Sequence, residues 1–478
     1  MVKFGTGGWR AIIGEEFTKE NIQKLTLAMC LKMKAEHKDT KSVVIGYDRR
    51  FLSKEAVIWA CQILGKEGIH VQFVNRSAPT PLLMFYVMKH ELDYGMMVTA
   101  SHNPAIYNGI KVFTYGGRDA DEIQTKDIEK WLLEAEKLYT PCHEEDGQMP
   151  PPSYTELVKQ GIVEEINPMN EYLDNILSVI NVDAIRKRDL RVAVDPMYGV
   201  SLTALSTILA VARCTVETIN AQHDTLFGGK MPAPTESTLR SLQNYVLDRY
   251  CDIGIATDGD ADRLGVIDDK GHYLHANTIL VMLYYYLLKY RGWRGPAVRN
   301  LSTTHVLDKV AESFGQKCYE VPVGFKYISA KMQEADAVIG GESSGGLTVR
   351  GHINGKDGIY AASLLVEMIA VTGKKLSEIA KEIEQEYGEI HMVERDYRFT
   401  PLRKEQIHKT LMIDKLLPKL PYAISKVSYL DGCKVYFQNG GWIIARFSGT
   451  EPLLRIFCEM ESELAAMELV DIFEEFLE

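Results

Sequence analysis

The chain of 478 residues is longer than one hydrophobic core usually serves, and at roughly 100–150 residues per domain it predicts three or four domains. With 46% hydrophobic and 25% charged residues the composition is that of a globular protein, which excludes a disordered or collagen-like chain. The net charge of −11 argues against a general nucleic-acid or membrane-surface partner, although a local basic pocket for an anion is compatible with it.

Targeting and redox features point to the cytoplasm. The start "MVKFGTGGWRAIIG" lacks the apolar core of a signal peptide, and no run of about 18 or more apolar residues appears later. The eight cysteines show neither a CxxC nor a zinc-like spacing, so we expect reduced, mostly buried thiols. The sequence therefore predicts a cytoplasmic protein with no membrane partner.

Strand-like and helix-like segments alternate along the chain. "KSVVIGYDRR" (41–50) predicts a strand that ends in a polar turn, and "SKEAVIWACQILGKEG" (53–68) predicts a helix that ends on a glycine. The same order returns in "LRVAVDPMYG" (190–199) and "SLTALSTILAVA" (201–212), and "CDIGIATDGDADR" (251–263) predicts a further strand. Repeated βα units of this kind predict a parallel α/β architecture.

Turn-forming residues suggest where segments meet. "EEDGQMPPPS" (144–153) predicts a loop or linker, "GWRGPA" (292–297) a loop before a strand, and "ERDYRFTP" (394–401) a change of segment. The carboxy-terminal part differs, because it carries alternating β-pattern with hairpin-like turns at Asp431-Gly432 and Asn439-Gly440. We predict a smaller α+β domain there.

A candidate nucleophile follows the apolar strand pattern in "GMMVTASHNPAIYNGIKVF" (95–113). The pattern stops at "SHNP" (101–104), whose residues favour a turn, and then resumes. By position alone, Ser101 fits a turn serine or a helix N-cap. The neighbouring His102 can exchange a proton with an attacking oxygen or simply brace the loop, and Lys111 lies where the chain returns towards it.

Three aspartates, Asp258, Asp260 and Asp262, alternate directly after an apolar strand, so a tight loop can turn their carboxylates onto one point. Such a concentration of charge suits a hard divalent cation. The loop is not an EF-hand, because Arg263 replaces the required glycine and Asp269 replaces the last glutamate. An octahedral Mg²⁺ with three protein carboxylates keeps positions open for water or phosphate, as in a catalytic site, and the alternative is an acidic solvated turn.

The glycine-rich loop "AVIGGESSGGLTVRGH" (337–352) permits a different reaction class. Around Ser343 it matches the G-x-S-x-G nucleophile elbow, with Asp357 and either His391 or His408 following in hydrolase order. A short pattern of this kind matches easily by accident, and a serine hydrolase leaves the triple-aspartate loop unexplained. The hydrolase is therefore a remote alternative.

The same glycine-rich loop also fits a sugar clamp. In that interpretation Glu342 accepts hydrogen bonds from adjacent hydroxyls and Ser344 supports it. The structural alternative is a flexible polar turn.

A fourth loop, "ARFSGTEPLLRIF" (445–457), combines donors for an anion. Arg446 offers a planar cationic fork, Ser448 and Thr450 offer hydroxyls, and a turn at Gly449 frees backbone amides. A phosphate fits this set of donors, and the alternative is a β-turn whose arginine faces solvent.

Taken together and in this order, the four loops resemble those of the α-D-phosphohexomutase superfamily, the phosphoglucomutase and phosphomannomutase enzymes. "TASHNP" resembles the family's phosphoserine loop, "DGDADR" its magnesium loop, "GGESSGG" its sugar-binding loop, "RFSGTEP" its phosphate-binding loop, and "FGTGGWR" its amino-terminal signature. The match spans essentially the whole chain and is most like a bacterial-type phosphoglucomutase.

The resemblance implies a heart-shaped α/β molecule of four domains, three of related mixed α/β topology and a carboxy-terminal α+β domain. Each domain contributes one loop to a central cleft. We place domain I with the phosphoserine loop at 1–166, domain II with the magnesium loop at 167–275, domain III with the sugar loop at 276–395, and domain IV with the phosphate loop at 396–478.

The resemblance also implies a role for each matching residue. Ser101 carries the phosphoryl group and contacts one Mg²⁺ per chain held by Asp258, Asp260 and Asp262. Around the serine lie Arg10, His102 and Lys111, the last of which matches a candidate general base. Positions that contact substrate are Arg263, Lys326 in "VPVGFKYI", Glu342, Ser344, Arg446, Ser448, Gly449, Thr450 and Arg455.

Departures from the family pattern bear on the sugar. Gly346 stands where the sugar loop of bacterial mannose- and glucose-active enzymes often ends in histidine, and His352 in "RGHINGKDG" is a candidate to compensate, as in glucose-preferring relatives. The loop also differs from the glucosamine type. Gly7 stands where many relatives carry Asp or Ser, which affects local loop bracing.

The resemblance thus predicts a phosphoglucomutase that interconverts glucose 1-phosphate and glucose 6-phosphate, with glucose 1,6-bisphosphate as activator and intermediate. A phosphomannomutase and a glucose 1,6-bisphosphate synthase of the same family remain open alternatives. We expect small sugar phosphates as partners, no nucleic acid, and a monomer or homodimer.

Overall fold

The structure is a computed structural model that describes residues 2–5, 7–139, 151–447 and 453–477. The chain forms two compact units, the first made of Met1–Leu274 with Gly346–Leu376 and the second of His275–Gly345 with Ser377–Glu478. Most of the predicted linker at 144–153 lies outside the described residues.

The first sheet of the first unit runs in the order β1-β2-β6-β5-β3-β4-β8, with β7 paired to β6. Its strands are β1 Phe4–Gly5, β2 Gly8–Ile12, β3 Val43–Tyr47, β4 Val71–Val74, β5 Tyr94–Val98, β6 Tyr107–Thr114, β7 Arg118–Asp119 and β8 Val163–Ile166. The accompanying helices are α1 Lys19–Ala35, α2 Ser53–Lys66, α3 Thr80–Lys89, α4 Glu122–Leu138 and α5 Tyr154–Lys159. Strands β5, β3, β4 and β8 are parallel, whereas β6 runs antiparallel to β5, so the chain turns back directly after the β5 strand end.

The second sheet of this unit runs in the order β10-β9-β11-β12-β13. Its strands are β9 Arg191–Asp195, β10 Thr215–Thr218, β11 Ile253–Thr257, β12 Leu264–Ile267 and β13 Tyr273–Leu274. Its helices are α6 Met169–Val179, α7 Val182–Arg186, α8 Leu202–Val211 and α9 Arg240–Arg249. Strand β11 is parallel to β9 and antiparallel to β12, so here too a loop turns the chain back at the end of a central strand.

The second unit begins with a parallel α/β layer. Strands β15 Cys318–Val321 and β16 Ile339–Gly341 flank and run parallel to β14 Ala297–Asn300. The helices of this layer are α10 Ala276–Lys289, α11 Val306–Ser313 and α12 Phe325–Ala335. The chain then forms β17 Leu347–Val349 and α13 Gly358–Thr372, which belong to the first unit, where α13 packs on β11 and β12.

The carboxy-terminal sheet is antiparallel and runs in the order β18-β22-β21-β20-β19. It follows α14 Leu376–Tyr387 and consists of β18 His391–Arg398, β19 Ile424–Ser428, β20 Cys433–Phe437, β21 Trp442–Phe447 and β22 Leu453–Met460, with helices α15 Pro401–His408 and α16 Glu463–Leu477. The predicted hairpin turns are confirmed, since Gly432 and Gly440 lie between paired strands with positive φ of 96° and 91°. Parallel α/β layers followed by a smaller α+β region agree with the predicted fold class.

One predicted border differs from the structure. The segment "ERDYRFTP" (394–401) is predicted as a change of segment, but 394–398 belong to β18, which pairs with β22 along its whole length. Its charged residues alternate with less exposed ones, as on an edge strand with one solvated face. A domain border at 395/396 therefore falls inside a strand of the carboxy-terminal sheet.

Two expectations about the chain as a whole can be compared with the described residues. Within them, no helix is long and apolar enough to cross a membrane. Five of the seven cysteines that the structure describes are buried and all seven are free thiols, as their spacing predicted.

Candidate active site

Ser101 lies in the turn that follows β5, and its side chain is directed to a second domain. The residue is buried and has a left-handed backbone with φ of 51°, which is uncommon for a residue other than glycine. Its N–H donates to Thr99 Oγ1 (2.8 Å), and its Oγ donates to Asp258 Oδ2 (2.8 Å). The structure thus brings the predicted nucleophile against the predicted metal loop.

The three aspartates lie in the loop between β11 and β12, and all are buried. One carboxylate oxygen from each of Asp258, Asp260 and Asp262 lies within 4.8 Å of the others. Oδ1 of Asp260 and Oδ1 of Asp262 are buried without a hydrogen-bond partner among the described residues. Because buried carboxylate oxygens are rarely left unpaired, these atoms fit a cation with oxygen ligands.

Two lysines partly balance this negative charge. Lys111 Nζ, on β6, lies 2.7 Å from Asp260 Oδ2 and 2.8 Å from Asp262 Oδ2. Lys356 Nζ lies 3.0 Å from Asp262 Oδ2. Sequence reasoning selected Lys111 but not Lys356, although Lys356 belongs to the quoted "KDG" segment. The two ammonium groups thus lie against Asp260 and Asp262, whereas Asp258 contacts the Ser101 hydroxyl.

The surroundings shift the pKa values of Asp258 and Asp262 in opposite directions. Burial, followed by the charges of Asp260 and Asp262, raises the pKa of Asp258 well above its ordinary value. Burial also acts against ionisation of Asp262, but the charges of Lys111, Lys356 and Arg263 outweigh it and hold the pKa of Asp262 well below its ordinary value. A site with carboxylates so close together favours a bound cation.

The two other predicted neighbours of the serine are also present. His102 Nδ1 lies 3.4 Å from Ser101 Oγ, and burial together with the Arg263 and Arg10 guanidinium groups holds the pKa of His102 well below its ordinary value. Arg10 Nη1 donates to Asn103 Oδ1 (2.7 Å). A Cβ added at Gly7 would lie 3.1 Å from Arg10 Nη2, so a side chain there would press on this arginine.

The magnesium-type loop is also held by Thr80, which sequence reasoning missed, and by the backbone of Arg263, which it assigned to the substrate. Thr80, at the start of α3, donates from Oγ1 to Asp260 Oδ2 (2.7 Å) and from its N–H to the Asp260 carbonyl oxygen (2.9 Å). The Arg263 N–H donates to Asp258 Oδ1 (3.0 Å). The Thr80 contacts have no local sequence signal, because Thr80 and Asp260 are 180 positions apart.

His352 does not serve the sugar pocket as expected. Its side chain is fully buried, with Nε2 2.6 Å from Asp357 Oδ2 and Nδ1 2.8 Å from Asn175 Nδ2. Asp357 Oδ2 also accepts from Tyr172 Oη (2.7 Å), and its Oδ1 caps α13. His352 and Asp357 of the "HINGKDG" segment therefore form a buried hydrogen-bonded cluster in the first unit, and His352 cannot compensate for Gly346.

The same contacts weigh against the hydrolase alternative. Asp357 was the acid expected to orient His391 or His408, but both of its oxygens are engaged by His352, Tyr172 and the α13 amides. His391 instead lies 3.2 Å from Glu389 Oε2, and His408 packs against the Phe447 ring. A triad built on Ser343 and Asp357 lacks its orienting carboxylate.

In the second unit, the glycine-rich turn places Glu342 at the end of β16. Ser344 Oγ donates to Glu342 Oε1 (2.8 Å), the supporting contact expected of a sugar clamp, and Asn300 Nδ2 lies 3.4 Å from Glu342 Oε2. Lys326 is half-buried at the start of α12, with Nζ 5.1 Å from the centre of the Tyr327 ring. Both oxygens of the Glu342 carboxylate thus have a partner, Ser344 at Oε1 and Asn300 at Oε2.

The fourth loop is described only at its two flanks, because Ser448, Gly449 and Thr450 lie outside the described residues. Arg446 and Arg455 are directly opposite each other on the antiparallel strands β21 and β22. Arg446 Nε donates to Asp431 Oδ2 (2.9 Å), and Arg455 Nε lies 3.5 Å from Asp396 Oδ1. Like charges directly opposite in a sheet are unfavourable, and an anion between them relieves the repulsion.

The first unit thus places a buried serine hydroxyl against a carboxylate cluster that fits a divalent cation, beside lysine, arginine and histidine side chains. This combination is suited to phosphoryl transfer, in which positioning and charge neutralisation supply most of the catalysis.

Comparison with known proteins agrees with this class. Four phosphoglucomutase/phosphomannomutase domain models match the chain in order: alpha/beta/alpha domain I over residues 1–138, domain II over 170–271, domain III over 275–387, and the C-terminal domain over 410–476.

Individual relatives match along the whole chain. A phosphoglucomutase/phosphomannomutase of Thermococcus kodakarensis is 30% identical, with 99% of this chain and 98% of the relative covered. A phosphoglucosamine/phosphogalactosamine mutase of Sulfurisphaera tokodaii is 28% identical, with 99% of each chain covered. A crystal structure from Thermus thermophilus, provisionally described as a phosphomannomutase, superposes with a TM-score of 0.84 at 28% identity and covers 100% of this chain and 99% of its own.

The chain belongs to the phosphoglucomutase/phosphomannomutase family of the α-D-phosphohexomutase superfamily. It is an enzyme, an intramolecular phosphotransferase, and its four-domain α/β architecture is the one predicted from the sequence.

Proposed function

We propose that the protein is a phosphoglucomutase that interconverts glucose 1-phosphate and glucose 6-phosphate through a phosphoserine at Ser101. The observation that carries the proposal is the hydrogen bond from Ser101 Oγ to Asp258 within a buried carboxylate cluster. A serine that only shaped a turn has no need of a partner 157 positions away in a metal-type loop.

The proposed reaction consists of two phosphoryl transfers, one from Ser101 to the sugar and one of the sugar's other phosphoryl group back to Ser101. A free sugar hydroxyl oxygen attacks the phosphorus of phosphoserine, the bond from phosphorus to Ser101 Oγ breaks, and the hydroxyl proton passes to a neighbouring base. The product of this step is glucose 1,6-bisphosphate. After the bisphosphate reorients, Ser101 Oγ gives up its proton to a base and attacks the other phosphorus. The bond from that phosphorus to the sugar oxygen breaks and the sugar oxygen takes up a proton, which restores the phosphoserine and releases the isomeric monophosphate.

Residues of this chain supply the positioning and the charge. Asp258, Asp260 and Asp262 would hold one Mg²⁺, which when bound supplies positive charge to the transferring phosphoryl group. Further positive charge, where negative charge accumulates, comes from Lys111 and Lys356, which contact the carboxylate cluster, and from Arg10, which contacts the Ser101 loop. His102, held neutral beside the serine, is placed to exchange a proton with an attacking or leaving oxygen.

The two loops of the second unit would bind the parts of the substrate that do not react. Glu342, supported by Ser344, would accept hydrogen bonds from adjacent sugar hydroxyls, with Lys326 and Arg263 as further contacts. Arg446 and Arg455 would bind the distal phosphate with Ser448, Gly449 and Thr450, and the paired arginines support this assignment.

The choice of glucose rests on the sugar loop, whose "GESSGG" differs from the glucosamine type. A second candidate, a phosphoglucosamine mutase, is favoured by the activity named for the Sulfurisphaera tokodaii relative. A phosphomannomutase stays open because the Thermococcus kodakarensis relative carries both names.

Phosphorus NMR of the purified enzyme with Mg²⁺ and each of glucose, mannose and glucosamine 1-phosphate tests the proposal. We expect a higher specificity constant for glucose 1-phosphate than for mannose 1-phosphate. The ratio should correspond to a free-energy difference of about 1–3 kcal/mol, because an epimer at the 2-position changes the Glu342 pocket only indirectly. The same spectra report the phosphoserine. Comparable constants for mannose remove the preference, a higher constant for glucosamine favours the second candidate, and accumulating bisphosphate indicates a bisphosphate synthase.

We expect Arg446→Ala to raise the Michaelis constant for glucose 1-phosphate and also to lower turnover, each by about 10-fold or more. Binding of the remote phosphate positions the reacting end, so its loss affects both constants. The bisphosphate should also escape before it reorients, leaving a dephosphorylated Ser101 that added glucose 1,6-bisphosphate recharges. Steady-state kinetics and bisphosphate release are the measurements.

Arg395→Ala is the matched control for this prediction. Arg395 lies on β18 of the same sheet but pairs with Asp471 (2.5 Å) and Glu474 (2.8 Å) of α16. Its loss should leave both kinetic constants unchanged. If Arg446→Ala shows neither greater bisphosphate release nor weaker substrate affinity, the fourth loop is not the distal phosphate site.

A further inference from the structure

Arg50 lies behind the Ser101 loop and holds its backbone. Its Nη2 donates to the carbonyl oxygens of Ser101 (2.6 Å) and Asn103 (2.6 Å), and its Nη1 donates to those of Pro104 (2.9 Å) and Tyr107 (2.9 Å). One planar guanidinium group therefore joins three carbonyls of the loop and that of Tyr107, the first residue of β6. This fork geometry is specific to arginine, since lysine offers three donors from one point.

The guanidinium is itself held in a buried place. The side chains of Arg50 and Asp48 are both fully buried, with Arg50 Nε 3.3 Å from Asp48 Oδ2. Asp48 also accepts from Ser53 Oγ (3.0 Å) and from the Arg50 N–H (2.9 Å). On another side, the centre of the Phe227 ring lies 4.9 Å from Arg50 Cζ. The group thus has little freedom to move.

Arg50 and Asp48 hold both the carbonyl oxygen and the N–H of Ser101, the first directly and the second through Thr99. Its carbonyl oxygen accepts from Arg50, while its N–H donates to Thr99 Oγ1, which in turn donates to Asp48 Oδ2 (2.6 Å). Ser101, Thr99, Asp48 and Arg50 therefore form a closed ring of contacts. A left-handed φ at a serine persists only where the surroundings impose it, and this ring imposes it.

The Ser101 carbonyl also lies against the metal-type loop. A Cβ added at Gly259 would come within 2.8 Å of this oxygen, so the two loops pack backbone to backbone. A small rotation of the Ser101 peptide would move Oγ away from Asp258 or push the carbonyl into Gly259. The position of the hydroxyl therefore depends on the peptide that Arg50 holds.

We propose that Arg50 is a positioning residue for phosphoryl transfer, which fixes the Ser101 peptide so that Oγ is presented to the metal-type loop. The inference rests on the proposed role of Ser101 as phosphoryl carrier. Arg50 acts through Ser101, because its Nη atoms are engaged by the loop carbonyls and its side chain is fully buried.

The test compares Arg50→Lys and Arg50→Ala with Arg49→Ala. The neighbouring Arg49 also donates to backbone carbonyls, but to those of Tyr198, Ala221 and Gln222 in the second sheet's domain, so it controls for general loss of structure. Arg50→Lys keeps the positive charge beside Asp48 and Phe227. It therefore provides the kinetic test if Arg50→Ala does not fold. Thermal unfolding monitored by circular dichroism reports which variants are folded.

We expect Arg50→Lys to lower turnover by about 10²-fold while the Michaelis constant for glucose 1-phosphate changes by less than about 3-fold, because a displacement of about 1 Å at the nucleophile has an effect of this size. The rate at which glucose 1,6-bisphosphate phosphorylates Ser101, followed by intact mass, should fall by the same factor. Methylguanidine should partly restore both rates in Arg50→Ala. Arg49→Ala should keep both rates even if its melting temperature falls.

The inference is overturned if Arg50→Lys is phosphorylated and turns over at wild-type rates. It is also overturned if Arg49→Ala loses as much phosphorylation rate as Arg50→Lys, since the effect is then one of general structure. Failure of the proposed function looks different: wild-type protein then takes no phosphoryl group on Ser101 from the bisphosphate.

Discussion

Ser101→Ala should lose at least about 10³-fold in mutase turnover while the protein stays folded. The proposed reaction stores the phosphoryl group on Ser101 Oγ between the two transfers, and alanine has no atom to receive it. The loop should keep its form, because the contacts from Arg50 and Thr99 to this residue are made to the backbone. Glucose 6-phosphate formation in a coupled assay and the mass of the intact protein after incubation with glucose 1,6-bisphosphate measure the two effects.

Ser343→Ala is the matched control, because it removes the serine of the alternative nucleophile elbow. We expect it to keep substantial activity and to take up the phosphoryl group normally. If instead Ser101→Ala is fully active and a fluorophosphonate labels Ser343, phosphoryl storage at Ser101 is wrong and the hydrolase alternative returns.

Local pattern was sufficient for the elements that combine strong apolar periodicity with a clear end. The predicted strand and helix at 41–50 and 53–68 are β3 Val43–Tyr47 and α2 Ser53–Lys66, and the glycine turns of the carboxy-terminal hairpins lie where the dipeptides placed them. Pattern failed at β18, where charged, half-exposed residues were interpreted as a change of segment. Edge strands with a solvated face lack the apolar runs on which such predictions depend.

The chemical loops were visible in the sequence because each one concentrates unusual residue types after a strand. Contacts between loops were not. "GYDRR" reads as a polar turn, yet Arg50 reaches the Ser101 loop 51 positions away and Arg49 reaches a carbonyl 149 positions away. His352 was misplaced for the same reason, since only the fold brings Asn175 and Tyr172 around it and Asp357. The domain borders at 166/167 and 275/276 stay predictions.

The second large effect concerns the carboxylate cluster, in which Asp258→Asn, Asp260→Asn and Asp262→Asn should each lower turnover strongly. Each substitution should raise the Mg²⁺ concentration needed for activation by at least about 10- to 100-fold. Losses of this size follow even from removing a residue that only hydrogen-bonds to a metal ligand. Chelation with EDTA should inactivate the wild type, and Mg²⁺ should restore it. Activity that survives exhaustive metal removal contradicts the assignment. Asp268→Asn is the control, because this buried carboxylate lies outside the cluster and accepts from the Lys270 and His272 amides, with His272 Nδ1 3.3 Å from its Oδ2.

Stability gives a second measurement, and its sign separates a metal site from a structural cluster. Without metal, three buried carboxylates within 4.8 Å repel one another, and burial with this repulsion raises the pKa of Asp258. Asp258→Asn should therefore unfold no earlier than the wild type in EDTA, whereas Asp260→Asn and Asp262→Asn lose ion pairs with Lys111 and Lys356 and should unfold somewhat earlier. A ligand that binds only the folded state stabilises it by about 2.7 kcal/mol at 100 times its dissociation constant, so Mg²⁺ should raise the melting temperature of the wild type and raise that of the variants much less. If Asp258→Asn also melts far earlier than the wild type in EDTA, and Mg²⁺ does not raise the melting temperature of the wild type, the aspartates hold the fold and the cluster is not primarily a cation site.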